Sequence, residues 1–150
     1  MGDLEDNVVE HPNALVVRRL MAALSEQNRA EIEAVLADEC VWRVPGANAL
    51  SGVYEGRRSI LTLFGKMKRI FTGPAKFEVI DITASDDYAA AYQYGIVEVA
   101  DRTVRLRECL VYRVVDGRVT EVDEFQADME AFDDAFSAES VAAAQAGKTE

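Results

Sequence analysis

Histidine is almost missing from this chain: of 150 residues only His11 is one, and it stands beside Pro12 in a polar terminal stretch. A Ser-His-Asp or Cys-His nucleophile system would have to rest on that ring. Proton transfer therefore falls to carboxylates, tyrosines, lysines or cysteines. Cysteine is scarce too. Cys40 and Cys109 form no CxxC motif and no Cys/His cluster, which argues against zinc and against a disulfide framework and fits a reduced, cytoplasmic protein. Gly-rich phosphate loops of the GxxxxGK[ST] or GxGxxG type are absent, and no metal or organic cofactor is expected. No apolar run approaches the roughly 18 residues that span a bilayer. The start, Met1-Gly2-Asp3-Leu4-Glu5-Asp6, is acidic and lacks the apolar core of a signal peptide. Positive charge is short as well: 16 Lys and Arg face 27 Asp and Glu, a net charge of −11. That balance argues against nucleic acid or an anionic membrane as partner.

What is present suits one globular domain. The chain is 49% hydrophobic and 29% charged, and a chain of this length buries about 70% of its unfolded surface. Asn13 is a candidate cap for a helix in which Val16, Val17, Leu20, Met21 and Leu24 recur at helical spacing. A second helix is predicted near Arg29 to Ala37 and a short strand over Cys40 to Val44, stopped by Pro45-Gly46. A third helix follows from about Arg57 to Phe71, and Gly73-Pro74 ends it. Three or four strands then run in series, about 76–84, 88–99, 102–115 and 118–126, joined by turns short enough to make them antiparallel. Helices first and strands later give an α+β fold with helices on one face of an antiparallel sheet. A short helix after Asp128 closes the domain, which spans residues 12–136 between flexible tails 1–11 and 137–150.

One carboxylate breaks the strand pattern. Val104, Leu106, Leu110, Tyr112 and Val114 share the parity of Glu108, while Arg105, Arg107 and Arg113 lie on the other. Strand side chains alternate faces, so Glu108 points where the apolar residues point. That is costly unless the acid is neutral, paired or used. Asp116-Gly117 is the signature of a two-residue hairpin turn. A regular ladder from it sets Tyr112 against Glu121, Leu110 against Asp123 and Glu108 against Phe125. Glu108, Glu121 and Asp123 then share one face, and Glu108 and Asp123 become a carboxylate pair able to divide into acid and base. Cys109 falls on the outer parity. In Tyr92-Gln93-Tyr94 either Gln93 or the two tyrosines face inward.

Several stretches carry a resemblance across residues 12–136. They are Val16–Leu24 with Ala30–Asp38, Val41-Trp42-Arg43-Val44-Pro45-Gly46, Leu50-Ser51-Gly52-Val53-Tyr54-Glu55-Gly56, and Val111 to Val119 with the following Glu121 to Phe125. Together they resemble the nuclear transport factor 2-like superfamily, and more narrowly its SnoaL-like branch, akin to polyketide cyclases, ketosteroid isomerases and limonene-epoxide hydrolases. The resemblance implies a cone-shaped, cystatin-like fold with three helices in the concave face of a curved antiparallel sheet. It also locates relatives' functional positions. The isomerase base matches Val44, its oxyanion-hole tyrosine Leu20, and its second acid falls close to Glu108. One epoxide-hydrolase aspartate matches Asp123, and that enzyme's arginine and other aspartate fall near Gln93 and Gly95.

On this reading Trp42, Tyr54, Gln93, Tyr112, Glu121 and Phe125 line a pocket for a small apolar or carbonyl-containing molecule, with Glu108 and Asp123 moving protons. The reaction implied is a cofactor-independent cyclisation, isomerisation, dehydration or hydration of a polyketide-like or terpenoid-like compound. The alternatives are a non-catalytic ligand-binding protein and an interaction module of the same fold. The arginine-bearing outer sheet face suits a homodimer.

Overall fold

The structure, a computed structural model, describes residues 10–148. The tail proposed over residues 1–11 lies mostly outside them. Helix α1 (Pro12–Ser25) has Pro at its first turn, where the missing N–H costs nothing. Its cap is His11, whose Nδ1 accepts from the Asn13 backbone N–H at 3.0 Å. Asn13, the expected cap, instead donates its side-chain amide to the Ser85 and Asp86 carbonyls at 2.8 and 3.0 Å, tying α1 to the turn between two strands. Helix α2 (Arg29–Val35) is capped by Asn28, which accepts from Glu31 N–H. Strand β1 (Leu36–Val44) follows without a loop. It is longer than its sequence pattern suggested, at the expense of the helix before it. Strand β2 (Gly52–Glu55) turns back on β1, and helix α3 (Arg57–Ile70) crosses the sheet. Strands β3 (Lys76–Ala84), β4 (Tyr88–Val99), β5 (Arg102–Val115) and β6 (Arg118–Gln126) complete a six-stranded sheet of order β2-β1-β6-β5-β4-β3.

All neighbours pair antiparallel except β1 and β6, which run parallel. The sheet is curved, and its concave face receives the helices. The core is built from Val17 and Leu20 of α1, Ile60 and Leu63 of α3, and the inward residues of β4 to β6, among them Ala91, Val99, Val119 and Val122. Helix α4 (Met129–Ala135), capped by Asp128, closes one end of the cone with Phe132 and Phe136, whose rings meet edge to face at 5.5 Å. The loop after β1 is pinned to it: Asp133 Oδ1 accepts from Ala47 N–H and from Asn48 Nδ2, both at 2.8 Å. Gly46 makes that approach feasible, because its φ is +86° and a Cβ there would lie 2.3 Å from Asp133 Oδ1.

Most of the segment read as a C-terminal tail is helical. Residues Ala138–Lys148 form helix α5, begun by Ser137 Oγ accepting from Ser140 N–H at 3.2 Å. Ala144 is 1% exposed against the rest of the fold. The Lys148 ammonium donates to the Lys68 carbonyl at 3.0 Å and to that of Arg69. Among the described residues no helix is long and apolar enough to cross a membrane.

Candidate active site

The cone encloses a cavity of about 600 Å³, within the range of small-molecule sites. Its wall is largely apolar: Met21 and Leu24 from α1, Phe64 and Met67 from α3, Leu106 and Leu110 from β5. Two carboxylates interrupt it, Glu108 on β5 and Glu124 on β6. Both lie deep in the fold while keeping some surface open to the cavity.

Glu108 points inward, as its parity required, and it is clamped. It is the register partner of Gln93 on one side and of Gln126 on the other. Gln93 Nε2 donates to Glu108 Oε2 at 2.7 Å, and Gln126 Nε2 donates to Glu108 Oε1 at 2.9 Å. Side-chain hydrogen bonds thus run across three strands. Gly95 leaves the room for them: a Cβ there would stand 3.1–3.3 Å from the Glu108 carboxylate. Burial pushes the Glu108 proton affinity above the ordinary carboxylate value, and the two amides, which bind the ionised form, pull it back.

Glu124 has a weaker clamp. Trp42 Nε1 donates to its Oε1 at 2.9 Å. The Trp42 ring is held edge to face by Phe64, with centroids 5.3 Å apart, and by Tyr112, at 6.5 Å. Burial, and then the charge of Glu108, push the Glu124 pKa up to about 8, against the Trp42 hydrogen bond. Because Glu124 pairs with Leu110 while Glu108 pairs with Gln126, the two acids are diagonal neighbours, roughly 7–8 Å apart at Cα. Glu108 has two donors favouring its anion and Glu124 only one, so Glu108 gives up its proton more readily and Glu124 is the member of the pair that holds its proton. The Tyr112 phenol, raised by burial and then by the Glu108 and Glu124 charges, stays protonated on the same wall.

Asp123 does not join them. Its expected place beside Glu108 assumed a regular ladder, but the register shifts between Arg113 and Val114. Val114 pairs with Val119 and Arg113 with Glu121, leaving Thr120 as an extra residue in β6. Beyond that bulge every β6 side chain sits on the face opposite to expectation. Glu121 and Asp123 point outward, where Arg43 binds them at 3.0 and 3.1 Å. Phe125, expected to line the pocket, is 56% exposed on the same outer face. Glu124 and Gln126 take the inward places. Val119 and Val122, three apart, are both fully buried, which a regular strand cannot achieve and the bulge allows.

The other candidates divide. Trp42 and Tyr112 line the cavity. Gln93 is buried and turned inward, settling the β4 alternative, and it acts on Glu108 without lining the cavity; Tyr92 is 41% exposed outside. Tyr54 does not line the cavity either. It donates its hydroxyl to the Leu50 carbonyl at 2.8 Å and accepts from Lys66, bracing the loop beneath. At the positions matching the isomerase base and tyrosine, Val44 and Leu20 are buried apolar residues. The thiols are poor nucleophiles: burial, then the Glu39 and Glu121 charges, pushes Cys40 up to about 12, and burial followed by the Glu108 charge raises Cys109.

A family model described as a SnoaL-like domain matches residues 17–122. The chain belongs to this family. The match ends before Glu124, so this SnoaL-like domain draws one of its two cavity carboxylates from past the matched segment. It is 28% identical over 114 residues to the uncharacterized protein Rv0034 of Mycobacterium tuberculosis (strain H37Rv), a span covering 75% of this chain and 87% of that one. Among solved structures it is similar to Bal32a from a soil-derived mobile gene cassette, with TM-score 0.79, 25% identity, and coverage of 83% of this chain and 96% of that chain. It shares its fold with IdmH of Streptomyces antibioticus, to which polyketide cyclisation is ascribed, at TM-score 0.66 and 16% identity, covering 88% and 99% of the two chains.

Proposed function

We propose that this SnoaL-like domain is a cofactor-independent enzyme that moves a proton within a mostly apolar carbonyl compound held in the cone, the step common to isomerisation, cyclisation and dehydration. One observation carries the reading: two inward carboxylates with unequal proton affinities on the wall of an otherwise apolar cavity. Glu108 takes the proton from the carbon next to the carbonyl. The electron pair left behind moves into the carbonyl, and Glu124 donates its proton to the developing oxyanion. Tyr112 gives a second hydroxyl donor on that wall. Acid–base catalysis of this kind contributes about 10²–10⁴ in rate, and the apolar surroundings strengthen each electrostatic contact. The polyketide activity ascribed to IdmH supports a polycyclic or polyketone substrate.

The test is turnover of a carbonyl-compound library by the wild type, Glu108→Gln and Glu124→Gln. Loss of turnover in both variants with ligand affinity retained supports the enzyme. Wild-type binding with no turnover of any member would make the protein a ligand carrier instead.

The reading includes a homodimer formed through the outer sheet face. Tyr92, Cys109 and Phe125 are successive register partners there, and Tyr92 and Phe125 are 41% and 56% exposed. Two exposed aromatics flanking Cys109 on that face support it as an interaction surface. Light scattering should give a dimer mass for the wild type and a monomer for Phe125→Arg; an unchanged mass would place the interface elsewhere.

A further inference from the structure

The chain is strongly acidic, yet one helix is the reverse. α3 carries five Lys and Arg residues and no Asp or Glu. Three of them, Arg57, Arg58 and Arg69, line a groove with Arg29, four cations against Glu33 and Asp38. Arg29, Leu61 and Gly65 line both this groove and the cavity, so the two form one continuous surface, and Lys68 stands on the cavity side.

Helix architecture explains only part of this charge. Lys68 and Arg69 in the last turn of α3 complement the helix dipole, whereas Arg57 and Arg58 in the first turn oppose it. Arg57 is offset by Asp38 at 2.7 Å and by donating to the Glu33 carbonyl at 2.9 Å. Among the described residues, Arg58, Lys68 and Arg69 have no ion pair. A cationic rim on a protein of net charge −11 concentrates anions locally against the field of the whole molecule. The deep end of the cavity has the opposite character, since Glu108 and Glu124 lie there. An anionic group is repelled from the interior and attracted to the mouth, and that polarity fixes which end of a ligand enters first.

We propose that the ligand of this cavity is amphiphilic: its apolar body reaches in toward Glu108 and Glu124, and a carboxylate or phosphate stays at the mouth on Lys68 and Arg69, beside Arg29, which Glu33 holds at 3.0 Å. This rests on the cavity being the binding site, as in the function proposed above.

The experiment compares biphenyl-4-carboxylate with biphenyl-4-carboxamide, probes of one apolar body and two charges, by calorimetric titration of the full chain near pH 7. The carboxylate should bind about tenfold more tightly or better, the return from a charge-assisted hydrogen bond. In Lys68→Met/Arg69→Met that advantage should fall to about twofold or less while amide affinity holds, and added salt should weaken only the carboxylate. Equal affinities in the wild type, or a carboxylate preference that survives the double variant, overturn the inference and leave the cavity reading intact. Failure of both probes to bind removes the cavity reading and this inference with it.

Discussion

Glu124 should govern how the stability of this protein depends on pH. Its pKa rises from the ordinary 4.5 to about 8 in the folded state. A raised folded-state value means that between those two pH values the folded chain keeps a proton the unfolded chain has released. Stability therefore falls as pH rises through that window and is unaffected by this group below or above it. At about 1.4 kcal/mol per pH unit the window corresponds to at most about 5 kcal/mol. Water in the cavity reaches part of the carboxylate and screens it, so about 2–4 kcal/mol is the expected loss between pH 5 and pH 9. Glu124→Gln keeps the shape, lets the amide oxygen accept from Trp42 Nε1, and removes the ionisation. Urea unfolding of wild type and variant at pH 5, 7 and 9 separates this effect from all other groups, which the two proteins share. The variant should be close to wild type at pH 5 and more stable by that amount at pH 9. A difference that stays flat from pH 5 to pH 9 would refute the assignment of Glu124 as the buried neutral acid.

Trp42 is the sole tryptophan and touches Glu124, so its fluorescence should titrate with a midpoint near 8; a Trp42 signal that is level from pH 6 to pH 10 contradicts the contact. Turnover should need ionised Glu108 and protonated Glu124, giving a pH–rate bell whose alkaline limb lies near 8 and moves higher in Trp42→Phe, because the lost N–H favoured the anion. Gly95→Ala should crowd the Glu108 carboxylate, now 3.1–3.3 Å from the position of that methyl, slow turnover and raise the acid limb, at a stability cost of about 1–3 kcal/mol; unchanged kinetics would show that the clamp tolerates movement. Asp123→Asn should leave turnover intact and cost no more than about 1 kcal/mol, as for an exposed ion pair, so a dead Asp123 variant would return that residue to the site.

The sequence pattern carried most of the architecture because periodicity reports which face is buried. It marked α1, α3 and the four consecutive strands, and it marked Glu108 as an acid on the apolar face. The Asp116-Gly117 turn was also legible, since both residues adopt positive φ, +51° and +77°, as the two-residue turn requires. Three features escaped for physical reasons. The β6 bulge depends on burying Val119 and Val122 together, a long-range packing demand that local alternation does not express. The β1–β6 parallel pairing joins distant segments and leaves no local trace. Helix α5 is Ala-rich, which is high helix propensity without an apolar stripe, and its composition resembles a tail until Ala144 is seen against the fold.

The bulge at Thr120 also bears on how such a domain changes its chemistry over time. β6 reads Glu121-Val122-Asp123-Glu124-Phe125-Gln126, with a carboxylate available to either face. One extra residue before this run decides which set meets the ligand: Glu124 and Gln126 as it stands, Glu121, Asp123 and Phe125 without it. A single-codon insertion or deletion there would exchange several functional groups at once while altering no residue in the site. Lineages of this fold can thus diverge in reaction by slipping a strand, and alignments that score positions one at a time would align acids that face opposite sides of the sheet.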